Sequence, residues 1–135
     1  MKYFFLALTL IFSQFANAGN GKALIPHWES PRHVKFFVSN ITSNPIEVHL
    51  KLYNEQGNII NIEGAGIPAK FILDPKTTKS LASDPNYVNF RNAFGFGSIS
   101  WSNIGSDEDE VAITAVVTAN GIGTPKLYIN NGQPF

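Results

Sequence analysis

Four consecutive carboxylates, Asp107-Glu108-Asp109-Glu110, are the densest piece of polar chemistry in the chain. Hard cations such as calcium are held by about six to eight oxygens, and a loop over Ser106–Glu110 offers several. Adjacent side chains on an extended chain point alternately apart, and the glycine-punctuated spacing of a calcium loop is missing. A solvated loop between Gly105 and Val111 is therefore the competing role. Asp107, Glu108 and Asp109 stand as candidate contact residues, and calcium is the one ion to test; no other cofactor is expected.

His27, Glu29 and His33 are the next cluster, but their spacing matches no zinc arrangement. The chain holds no cysteine, which removes thiol nucleophiles, thiolate metal sites and disulfides together. Serines are plentiful without a G-x-S-x-G elbow or a paired histidine and acid. No catalytic residue is assigned, and the expectation is a protein that is not an enzyme.

Aromatic residues make up 13% of the sequence, enough to ask which of them face outward. Phe36, Phe71, Phe94, Phe96 and Trp101 fall at strand spacing and are expected in the core. Phe37 faces the other way from Phe36 and Val38. With Trp28 and Tyr53 it is the candidate for an outward aromatic patch, of the kind that suits protein interfaces or stacking on sugar rings. Core filling is the competing role for Phe37.

These residues need strands to position them. Ile46-Glu47-Val48-His49-Leu50-Lys51-Leu52-Tyr53 alternates apolar and polar with the period of two that a half-buried strand demands. Ile46, Val48, Leu50 and Leu52 share the core face; Glu47, His49, Lys51 and Tyr53 share the other. Asn44-Pro45 precedes this strand, and Asn54-Glu55-Gln56-Gly57 follows, with Gly57 free to take the positive φ of a turn. Val34–Ser39 is expected as its antiparallel hairpin partner across the Asn40–Pro45 loop. Ile59–Ile62, Lys70–Leu73 and Thr78–Ala82 look like further short strands. Tyr87–Ala93 reads as a helical turn or a loop.

Phe94–Trp101 resumes as a strand whose glycines mark a bulge or a close backbone approach. Val111–Ala119 is apolar on both faces and belongs mid-sheet. Lys126–Ile129 is a last strand before an exposed tail ending in Phe135. About seven short strands joined by Gly, Pro, Asn and Asp turns predict an all-β sandwich.

The chain begins with Lys2, an apolar run from Tyr3 to Phe12, and Ala16-Asn17-Ala18. Positive start, hydrophobic centre and A-x-A exit are the parts of a secretory signal peptide, and the run is about half the ~20 residues that a spanning helix needs. The expectation is a leader over 1–18, a single domain over 19–135, and no integral membrane span after cleavage. Export would place the protein in the periplasm, on the cell surface or in the medium. Of 10 Lys and Arg residues, Lys2 leaves with the leader, so against 10 Asp and Glu the mature chain is one unit negative. Nucleic acid is not expected as a partner, because its binding rests on neutralising many phosphates.

Ile25-Pro26-His27-Trp28, Val34–Val38 ending in Asn40, and Pro45–Tyr53 closing on Asn54-x-x-Gly57 resemble immunoglobulin-like β-sandwich modules of bacterial exported and cell-envelope proteins. Leu73-Asp74-Pro75 into Thr78–Leu81 continues the likeness, as do Gly97–Trp101 and Ala112–Val117. The resemblance spans roughly Ile25 to Ala119. It implies an immunoglobulin-like antiparallel β-sandwich and leaves function diverse, since such modules serve in adhesion, spacing and envelope assembly. The chain departs from it in the Asp84–Phe94 insertion and in the segment after Asn120.

The expected function is a small exported protein that contacts another macromolecule, a protein or a surface glycan, through an outward aromatic face or a free sheet edge. One alternative is a periplasmic ligand-binding or enzymatic protein with 84–94 as a lid. Another is a self-associating envelope subunit, a homo-oligomer.

Overall fold

Apolar residues at every second position fold into eight strands, seen here in a computed structural model that describes residues 19–104, 111–119 and 126–135. The strands are β1 (Asn20–Ser30), β2 (Val34–Asn40), β3 (Ile46–Asn54), β4 (Lys70–Leu73), β5 (Thr78–Ala82), β6 (Ala93–Asn103), β7 (Ile113–Ala119) and β8 (Lys126–Tyr128). They form two four-stranded antiparallel sheets, ordered β1-β6-β3-β4 and β5-β2-β7-β8. The all-β expectation holds. The leader over 1–18 and the acidic run, with Asp107, Glu108 and Asp109, lie outside the described residues.

β3 keeps the predicted faces: Ile46, Val48, Leu50 and Leu52 are buried between the sheets, and its other residues are not. Phe36, Phe71 and Trp101 are core residues as expected. Fully burying such side chains contributes about 1.5–3 kcal/mol each, most of it offset by lost chain entropy. This two-sided core is what fixes the outer faces.

The β2–β3 hairpin is corrected. The two strands lie in different sheets, and β2 pairs instead with β5 and β7. Asn40, buried at the end of β2, turns the corner. Its Nδ2 donates to the carbonyls of Asn44 (2.8 Å), Leu73 (3.1 Å) and Asp74 (3.1 Å). Its Oδ1 accepts the Thr42 N–H (2.9 Å) and hydroxyl (2.8 Å). One side chain at the end of a second-sheet strand thus satisfies backbone groups of its own loop, of β4 in the first sheet and of the turn after it.

Ile59–Ile62 is not a strand; a single bridge joins Ile59 to Tyr53. Asn54 holds the turn before it, its Oδ1 accepting the N–H groups of Gln56 (3.0 Å) and Asn58 (2.9 Å). Gly57 has the expected positive φ, 81°. In the 84–94 segment a short 3-10 turn, Val88–Phe90, drives the fully buried Phe90 against Trp28, ring centroids 5.4 Å apart.

The end of the chain is not an exposed tail. Asn130, Asn131 and Gly132 all take positive φ, and the reversal brings Phe135 into the core. The Phe135 oxygen accepts the Trp101 indole N–H at 2.6 Å and the Ala112 and Ile113 amides at 3.0 and 3.1 Å.

Candidate contact surfaces

β6 decides which aromatic rings reach solvent. Gly95 and Gly97 occupy inward positions on β6 where β3 comes unusually near. A Cβ on Gly95 would sit 1.9 Å from the Tyr53 carbonyl oxygen, and one on Gly97 2.5 Å from that of Lys51. Only glycine fits there. The alternation of the strand then carries Phe94 and Phe96 outward, where they are 48% and 44% exposed. Their expected place in the core is overturned for that reason.

Trp28 moves the opposite way. A register break between Ile25 and Trp28 on β1 flips the face that follows, as a bulge does. Trp28 pairs with Gly95 and is 1% exposed. Its indole N–H is shared between the carbonyls of Phe96 (3.0 Å) and Tyr53 (3.2 Å). Trp28 is therefore a core residue and not part of an outward patch.

Tyr53 stays half-exposed and stacks on Phe96 across the β3–β6 pair, centroids 5.0 Å apart and rings 12° from parallel. Phe94 lies beside them on β6, and the exposed Ile59 pairs with Tyr53 on the far side. They make an apolar ledge at one end of the first sheet's outer face, and Leu24, exposed on β1, registers with Ser98 in the next row.

The rest of that face is mostly polar and of mixed charge, with the exposed Ile72 of β4 in register with Glu47. Glu47 on β3 holds His49 and Lys70, each at 2.9 Å. The Lys70 hydrogen bond, and then that of His49, keep the Glu47 carboxyl below the ordinary carboxylate range. Ser98 and Ser100 pair alongside, opposite Lys51 and His49.

On the second sheet Phe37 is 37% exposed, as expected for an outward residue, and registers with Ser80 on β5 and Val116 on β7. Val116 in turn registers with Tyr128 on β8, 55% exposed. The next row reads Ala82, Lys35, Thr118, Lys126. The row on the other side reads Thr78, Ser39, Thr114, with the Ser39 and Thr78 hydroxyls 2.7 Å apart. Strands β2, β5, β7 and β8 contain no Asp or Glu.

His27 and Glu29 stand 3.9 Å apart near the β1 edge, both exposed. Among the described residues no group of three or more metal-ligating side chains is assembled. A groove of about 200 Å³ runs between β1 and β8, lined by His27, Trp28, Glu29, Val117 and Leu127 among others. Among the described residues no helix is long and apolar enough to cross a membrane.

The sequence reading found Tyr53 and Phe37 and missed Phe94, Phe96 and Tyr128. Strand parity held the missing signal on β6. Phe94, Phe96, Ser98 and Ser100 share one face, and Gly95, Gly97, Ile99 and Trp101 the other. Phe96 and Trp101 cannot both point inward on an unbroken strand.

No family model and no curated protein matches the chain. Among solved structures it is similar to protein 1070 of Thermotoga maritima, with a TM-score of 0.51 and 11% identity over 83% of this chain and 92% of that one. It also aligns with the Anabaena sensory rhodopsin transducer at a TM-score of 0.43 and 14% identity, covering 72% and 93%. FlgD from Xanthomonas campestris aligns at 0.29 and 14%, covering 90% and 74%. The likeness to the Thermotoga protein concerns fold alone.

Proposed function

We propose that this chain is a small exported β-sandwich of the immunoglobulin-like kind, whose work is non-enzymatic contact with another macromolecule of the cell envelope or surface. The observation that carries this reading is the outward placement of aromatic rings on both sheets: Tyr53, Phe94 and Phe96 on one, Phe37 and Tyr128 on the other. Half-exposed rings grouped on a flat sheet match the aromatic enrichment of binding surfaces. The leader-like segment over 1–18 supports export. The packing of Phe90 under Trp28 ties down the 84–94 segment and weighs against its acting as a lid.

The test has two arms. Cell fractionation should recover the mature chain outside the cytoplasm, cleaved after Ala18; retention of the leader in a cytoplasmic pool defeats the export claim. Capture of envelope components should fall about tenfold or more when the outward rings are cut to alanine, with the melting temperature held. Undiminished capture defeats the contact claim. Among the described strands β1 stands at the edge of its sheet, bordered by a groove, which favours self-association as a second reading. Light scattering over a concentration series checks it: constant monomer mass rejects it.

A further inference from the structure

The second sheet's outer face has an order that general adhesiveness does not require. Phe37 and Tyr128 flank Val116 in one row, and Lys35 and Lys126 flank Thr118 in the next. Each pair is two strands apart, so both the rings and the ammonium groups repeat at about 10 Å across the sheet. That is close to the length of two linked pyranose rings. The Lys35 Nζ lies 5.9 Å from the Phe37 ring centroid, which puts cation and ring side by side on one surface.

Charge selects the partner further. The four strands bear lysines and no carboxylate, and Arg32 stands just before β2 at the lysine end. Asp84, two residues beyond β5, is engaged locally, its Oδ1 accepting the Asn86 N–H at 2.8 Å. Lysines on strands that carry no carboxylate attract polyanions, and the spacing of the rows selects among them.

From this we infer that the β5-β2-β7-β8 face binds an anionic polysaccharide laid across the strands, with a carboxylate on every second sugar. Phe37 and Tyr128 stack against the apolar faces of alternate rings. Lys35 and Lys126 take the intervening carboxylates, and the hydroxyls of Thr118 and its neighbours replace water around the sugar hydroxyls. The inference rests on the contact function proposed above and names its partner class.

Hyaluronan, which is acidic at every second sugar, is the probe, and oligomers of N-acetylglucosamine are the neutral comparison. Isothermal titration with residues 19–135 should show binding to hyaluronan and none to the neutral oligomer. Phe37→Ala/Tyr128→Ala should weaken binding about tenfold or more. Lys35→Gln/Lys126→Gln should do the same and flatten the salt dependence. Lys51→Gln, on the opposite face, should leave affinity unchanged, and all three variants should melt like the parent.

Equal affinity for both sugars, loss of binding in the Lys51→Gln variant, or binding of a single-stranded DNA as tight as that of hyaluronan would overturn the proposal. So would absence of hyaluronan binding. If envelope capture through the exposed rings persisted in that last case, the glycan would fall and the contact function would stand. If capture were absent as well, both would fall.

Discussion

The two outer faces are made by the same alternation and end in different chemistry. On the β1-β6-β3-β4 face acids and bases meet within the sheet: Glu47 binds Lys70 and His49, and the aromatic rings gather at the other end. On the β5-β2-β7-β8 face the strands themselves carry lysines and no carboxylate, and the apolar row crosses the middle. A face that neutralises itself offers a partner mainly apolar area and shape. A face whose strands carry cations and no carboxylate adds long-range attraction and a charge requirement. One fold thereby presents two surfaces with different tastes, and substitutions can separate them.

The largest effect belongs to the boundary between inside and outside that creates both faces. Leu50→Asp places an unpaired charge in the core and should cost about 4 kcal/mol or more, enough to abolish folding. Lys51→Asp, one residue along and outward, should stay within ~0.5 kcal/mol. Urea denaturation compares them, and equal effects would break the face assignment. Next, Trp28→Ala should lose about 3–5 kcal/mol, whereas Phe96→Ala, on the neighbouring strand but outside, should lose under ~1 kcal/mol. Similar losses in thermal unfolding would mean that the bulge does not turn Trp28 inward.

A smaller effect sharpens the electrostatic contrast. The lowered pKa of Glu47 stabilises the fold fully above its ordinary value of 4.5. That stability is lost as pH falls through the lowered folded value. Glu47→Gln should therefore reduce stability at neutral pH and make it less sensitive to acid over that window. Lys35, which has no carboxylate partner among the described residues, gives the contrast: Lys35→Gln should leave the acid limb as in the parent. Melting temperatures measured from pH 7 to 3 give the comparison, and identical acid limbs for Glu47→Gln and the parent would contradict it.

Much of this was legible in the residues. Period two fixed β3 and its faces, and Gly57 marked its turn. Phe37 faced outward because Phe36 and Val38 had to face inward. The β2–β3 connection was misread because Asn40 acts through carbonyls of Asn44, Leu73 and Asp74, two of them far along the chain. No local turn signal reports such partners. Trp28 was misplaced because a single bulge inverts parity, and Phe135 because its docking depends on Trp101, remote in sequence. The aromatic ledge was half visible: Tyr53 was found, but its stacking partner Phe96 was assigned by residue type and not by parity.

The most direct measurement is capture of envelope material by a variant stripped of all four stacking or row-forming rings, Tyr53, Phe96, Phe37 and Tyr128, each changed to alanine. Parent and variant are compared at temperatures where both are fully folded. A fall of about tenfold or more with near-unchanged melting is the predicted result. Capture equal to the parent's would contradict the claim that these outer faces do the protein's work.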